Sequence, residues 1–151
     1  MLLENRTILV TGVLTPSSIA FSCARLAQEQ GATVVLSSFG RAMATTRRAA
    51  RRLPTQPVLV ELDVTSDDDL AALAERVGET APTIHGVVHA IGFAPADCLG
   101  RPEGLAAAGW DDVATAVRAS AWSLPALVHA LEPVLADRAS VVGLDFDASV
   151  A

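Results

Sequence analysis

The sequence predicts an α/β protein built on a doubly wound parallel sheet, and three observations carry that reading. Short β-branched runs alternate with longer alanine-rich stretches of helical period, the pattern of repeated strand–helix units. The strand-like runs are apolar nearly throughout rather than alternating, so helices should cover both faces of the sheet. Cap and breaker residues fall between the runs, where such units need them.

The first strand is expected at Thr7–Thr11, and a helix over Ser18–Gln30 follows, ended by Gly31. A second strand over Thr33–Ser37 leads into a helix over Arg41–Arg52, which Pro54 and Pro57 break off. The third strand, Val58–Leu62, runs into "TSDD", where Thr65 or Ser66 caps a helix over Ser66–Glu79. A fourth strand at Gly86–Ile91 opens a long loop, Gly92 to Gly109, placed at a carboxyl end of the sheet, where such folds bind ligands. One last helix, Trp110–Leu135, should kink at Pro125 and stop at Pro133 before a fifth strand, Ser140–Leu144.

Composition bounds the function. The 151 residues are one domain's worth, with 51% hydrophobic and 19% charged residues, long enough to bury a core. A net charge of -6 argues against a nucleic-acid partner, which demands excess positive charge. No apolar run approaches the roughly 20 residues of a membrane span, and the N-terminus lacks a basic region followed by a long apolar stretch, so a cytoplasmic location is expected. With only Cys23 and Cys98, free thiols are expected rather than a disulfide framework. The chain has no Tyr and no Lys, all 11 cationic side chains being Arg. A mechanism that needs a phenol or an amine must therefore take it from elsewhere.

Several short stretches could carry chemistry, each beside a plainer account. Gly12 removes a Cβ where the first strand turns under a helix, which suits either close approach of a cofactor or an ordinary turn. Ser17, Ser18 and Ile19 open that helix, whose free N–H groups favour a pyrophosphate, although Ser18 also serves as a simple cap. Asp63, in "ELDV", can accept from an adenine amino group while the Val64 N–H donates to the ring; it can equally cap the next helix. Ile91 and Gly92, in "HAIGF", stand where a ribose could pass close to backbone, or where a loop merely begins.

Other clusters read as structural. His85 and His89, four apart on a strand, lie more than about 10 Å apart by the usual rise, too far to share a metal, and His129 belongs to a helix surface. Arg47, Arg48, Arg51 and Arg52 form one solvated helix face. Asp67 to Asp69 is an acidic helix start favoured by the dipole.

Taken together, "TGVLTPSSIA", "ELDV", "HGVVHAIGF" and "VVGLDFD" follow the order and spacing of a known family. The chain resembles the enoyl-acyl-carrier-protein reductases, a divergent branch of the short-chain dehydrogenase/reductases, and above all their mycobacterial type. The resemblance covers Leu3 to Ala151. In that branch the glycine-rich fingerprint becomes Gly-x5-Ser-x-Ala, matched by Gly12, Ser18 and Ala20. The resemblance implies a Rossmann-type sheet of strand order 3-2-1-4-5 and NADH as cofactor, with NADPH still open because Arg41 follows Gly40 at the end of the second strand. It places Gly12, Ser18 and Ile19 at the pyrophosphate, Phe39 at the adenosine, Asp63 and Val64 at adenine, Ile91 and Gly92 toward the nicotinamide side, and Phe146 beside the substrate. The implied activity is reduction of the trans-2 double bond of an enoyl thioester carried by acyl carrier protein or coenzyme A.

The departure is large. The family's catalytic Tyr-x6-Lys pair, its last strands and its substrate loop follow beyond the matched stretch. Residues 1–151 are thus expected to form a single dinucleotide-binding domain, incomplete at its C-terminus and inactive alone. Such a domain should form a homo-oligomer or pair with the missing C-terminal half. A non-catalytic nucleotide-binding module and one half of a split reductase are the rival readings.

Overall fold

The computed structural model describes residues 1–99 and 104–145. Five strands form one parallel sheet: β1 (Thr7–Val10), β2 (Thr33–Ser38), β3 (Val58–Glu61), β4 (Ile84–His89) and β5 (Leu135–Gly143). Their spatial order is β3-β2-β1-β4-β5, the order expected. The crossovers are α1 (Ile19–Glu29), α2 (Gly40–Ala50) and α3 (Asp67–Gly78), and then a segment made of α4 (Trp110–Val117) and α5 (Ser123–Leu131).

The near-continuous apolar strands feed two cores, one on each face. On one side Val10, Val34 and Leu36 pack against Ala20, Phe21, Ala24 and Ala27 of α1 and Ala49 and Ala50 of α2. Ala20 and Ala24 are buried, so α1 lies close against the sheet. On the other side Leu9, Val35, Ile84 and Val87 meet Leu73 and Val77 of α3 and Leu127 and Leu131 of α5. Over β4 and β5 the α1 side is less covered: Leu3, Ile8, Leu26, Val88 and Val142 line an apolar groove of about 310 Å³. Val141 and Val142 of β5 are 40% and 50% exposed.

Three expectations need correction. The predicted single helix Trp110–Leu135 is divided by a π turn, Arg118–Trp122, and ends in a 3-10 turn over Glu132–Val134 that contains Pro133. The cause lies at Pro125, whose ring would collide with the carbonyl of residue 121 in a straight helix and which has no N–H to donate. The chain widens one turn earlier: the Ser123 N–H reaches back to Arg118 O, and the Ser123 Oγ takes over Ala119 O at 2.6 Å. The fourth strand starts at Ile84 and stops at His89, short of Ile91, because the Ala90 N–H leaves the ladder and donates to Thr11 Oγ1 at 3.0 Å. The fifth strand starts early, with Leu135 beside Ile84; its register then slips so that Ser140 pairs with Gly86, and from there it follows the expected stretch as far as Gly143.

Candidate functional site at the carboxyl edge of the sheet

Every parallel strand exits on the same edge, and the exits of β1 to β4 enclose a cleft of about 390 Å³. Gly12, Phe39, Asp63, Val64, Ile91 and Gly92 all line it. Each belongs to a different strand exit or follows its neighbour there, so the topology rather than sequence proximity brings them together. Ser18 and Ile19 are not among the cleft-lining residues; they sit at the N-terminus of α1, with Ile19 70% exposed. Phe146 lies outside the described residues.

Gly12 has φ +78°, and a Cβ there would stand 1.9 Å from Ala90 O. The sheet therefore requires a glycine at this point whatever the cleft holds, because β1 and β4 close together just beyond their last ladder bonds. Val13, fully buried, is held in turn: Thr46 Oγ1 lies 2.7 Å from Val13 O and 3.0 Å from Ser38 Oγ. Thr46 is a cleft-lining residue that sequence reasoning missed. Its signal was a threonine on the face of α2 opposite Arg47 and Arg48; both are exposed, as are Arg51 and Arg52, which lie just past the end of the helix rather than on the expected helix face.

Ser18 caps α1, its Oγ accepting from Phe21 N at 3.3 Å and donating to Thr15 O at 2.7 Å. The N–H groups of Ile19 and Ala20 have no partner among the described residues. Phe39, 45% exposed, stands as a bare aromatic wall where β2 gives way to α2, and Gly40 follows it with φ +48°.

At the β3 exit the Asp63 carboxylate accepts at Oδ1 from Thr65 N (2.9 Å) and Thr65 Oγ1 (2.7 Å). The cap of α3 is Ser66, not Asp63, with its Oγ accepting from Asp69 N at 3.2 Å. Asp69 accepts from the backbone N–H of Asp63 at 2.8 Å and from Arg76 at 3.0 Å. Those two donors, the Asp63 N–H first, hold its carboxyl below the usual carboxylate range. The expected acidic helix start is therefore also a tether for the loop before it.

Beyond β4, Phe93 is clamped by Ser120, whose Oγ accepts from Phe93 N at 3.0 Å and donates to Phe93 O at 2.9 Å. His89 is buried with its Nε2 2.7 Å from Ser123 Oγ, and burial pushes its pKa down. His85 Nδ1 accepts from Thr7 N at 3.1 Å, and His129, on the surface of α5, is 3.4 Å from Glu132. No cluster of side chains able to hold a metal occurs among the described residues. Cys23 and Cys98 are free thiols.

The decisive comparison is with a family model described as enoyl-(acyl carrier protein) reductase, which matches residues 12–151. The chain belongs to this family. An NADH enoyl-acyl-carrier-protein reductase of Mycolicibacterium smegmatis is 43% identical over 150 residues, covering 97% of this chain and 55% of that protein. Its counterpart in Mycobacterium avium is 41% identical over 151 residues, covering 98% and 55% respectively. An Enterococcus faecalis NADH enoyl-acyl-carrier-protein reductase is 32% identical over 147 residues, covering 97% and 57%. The chain of this family member thus spans about half the length of the curated relatives it matches.

Proposed function

We propose that this chain is the cofactor-binding portion of an NADH-dependent enoyl-thioester reductase, working in the cytoplasm on enoyl groups carried by acyl carrier protein or coenzyme A. The observation that carries this reading is the cleft itself, where the exits of four strands present apolar walls beside a few polar groups. In this reading Gly12, Ser18 and Ile19 hold the pyrophosphate, through the unpaired N–H groups at the start of α1. Phe39 borders the adenosine, Asp63 and Val64 hold the adenine edge, and Ile91 and Gly92 line the nicotinamide side. Phe146 is assigned to the substrate side. The bound dinucleotide would supply the hydride; these residues orient it and keep water from its apolar faces.

Calorimetric titration with NADH tests the reading. Asp63→Ala should weaken binding by about 1–3 kcal/mol by leaving a cofactor donor unpaired; unchanged affinity would remove the adenine assignment. NADH is preferred over NADPH in this proposal, although Arg41, exposed beside Gly40, could meet a 2′-phosphate. A roughly tenfold tighter affinity for NADPH that disappears in Arg41→Ala would reverse that choice.

A second reading is a nucleotide-binding module without chemistry, or one half of a split enzyme. The 151 residues contain neither Tyr nor Lys, so in the reductase reading the phenol that polarises a thioester carbonyl and the amine that anchors a ribose come from outside them. Adding a polypeptide matching the rest of the relatives' length distinguishes them: restored NADH oxidation with a trans-2-enoyl thioester supports the reductase or its split form, and NADH binding without turnover supports the module.

A further inference from the structure

The loop at the exit of β3 is tied down in a way that leaves two particular groups open. The Asp63 N–H is taken by Asp69 Oδ2 at 2.8 Å, and Asp63 Oδ1 is taken twice by Thr65. Arg76 spans the base of the loop, its Nη1 lying 3.0 Å from Asp69 Oδ1 and 2.8 Å from Glu61 O. Among the loop groups left without a hydrogen bond in the described residues are Asp63 Oδ2, an acceptor, and the Val64 N–H, a donor. Both Asp63 and Val64 line the cleft.

An acceptor followed by a donor complements a base edge that offers an amino donor beside a ring-nitrogen acceptor. Adenine offers an exocyclic amino donor beside the N1 acceptor. Hypoxanthine offers the reverse, a carbonyl acceptor beside an N1–H donor. The geometry points to Asp69 as the positioning residue that makes this cleft select adenine: by occupying the Asp63 N–H from α3, with Arg76 strapping it to β3, it leaves the Val64 N–H and one carboxylate oxygen as an adjacent donor and acceptor for the base. Without Asp69 the Asp63 N–H becomes a second free donor, the strap is lost, and the loop no longer presents a fixed acceptor–donor order. This inference rests on the dinucleotide reading above.

The test is titration of the 151-residue chain with NADH and with nicotinamide hypoxanthine dinucleotide in reduced form, in wild type, Asp69→Ala, Asp69→Asn and Arg76→Met. Wild type should prefer NADH by about tenfold, the scale of one well-made two-point base contact. Asp69→Ala should bring that preference below about threefold by weakening NADH while leaving the analogue's affinity unchanged. Asp69→Asn keeps an acceptor oxygen for the Asp63 N–H and should retain most of the preference; Arg76→Met, which keeps the apolar stem, should fall between. Equal weakening of both ligands in Asp69→Ala would mean a merely structural role, and an undiminished preference would remove Asp69 from recognition; either result overturns the inference and leaves the dinucleotide reading standing. Wild type binding both ligands equally would overturn the adenine edge, and wild type binding neither would overturn the dinucleotide reading together with this inference.

Discussion

Gly12 and His89 show how single residues here answer to the sheet before they answer to a ligand. A Cβ at position 12 would have to share space with a backbone carbonyl 1.9 Å away, on a residue already at φ +78°. Gly12→Ala should therefore lower stability by more than about 2 kcal/mol, read in urea unfolding, in the complete absence of cofactor. A variant as stable as wild type but unable to bind NADH would restore the cofactor to the role the sheet now fills. His89 makes a prediction in pH. Burial lowers its pKa in the folded chain, so below the unfolded value near 6.5 the unfolded state binds more protons and stability falls as pH drops. Above that value the contribution is fully present. The neutral Ser123 hydroxyl of α5 lies at its Nε2, and burial outweighs the backbone hydrogen bond that favours the charged ring. The fall in melting temperature between pH 7.5 and 5.5 should be smaller in His89→Gln than in wild type; an equal fall would assign the acid sensitivity elsewhere.

At the scale of elements, the long final crossover behaves as two helices joined by a wide turn. The π segment and the first residue of α5 are stitched to the end of β4 and its exit by two serines three residues apart, Ser120 to Phe93 and Ser123 to His89. Arg118 adds a 2.8 Å contact to Asp67 at the start of α3. The wide turn thus fixes the loop that carries Ile91 and Gly92 along the cleft. Ser123→Ala should remove one hydrogen bond from the Ala119 carbonyl and one from His89 Nε2, costing about 1–3 kcal/mol. The same variant should raise amide exchange at Ile91 to Phe93 by mass spectrometry. Loss of stability with unchanged exchange there would separate the turn from the loop.

For the whole molecule, the two faces of the sheet differ. One core is closed over β1 to β4 by α3 and α5, whereas β5 offers exposed valines beside an apolar groove on the α1 side. A strand edge with free N–H and C=O groups next to apolar side chains favours pairing with another chain. The chain should accordingly associate as its concentration rises in sedimentation velocity, and Val142→Lys should reduce that association. A strictly monomeric wild type across the micromolar range, turning over an enoyl thioester unaided, would sink both the open-edge argument and the proposed division of the site.

Much of this was legible in the sequence alone. Continuous apolar runs, Gly31, and the serine or threonine before "DDD" are local signals, and local signals determine where strands and helices form. The linked motifs named the family and five of the residues that line the cleft, with Phe39 added by the resemblance, because the strand exits of a parallel sheet share one edge. What the sequence could not supply is what each group does once neighbours arrive from far along the chain. That Gly12 is demanded by Ala90, that Thr46 holds Val13 and that His89 meets Ser123 all depend on contacts between residues 33 or more positions apart. The π turn is a local feature by contrast: Pro125 announces a break, and the short-range hydrogen bonds of Ser123 to Arg118 O and Ala119 O decide its place and form. Periodicity records which side of an element is buried; only packing decides which hydrogen bonds are spent inside the protein and which are left for a ligand.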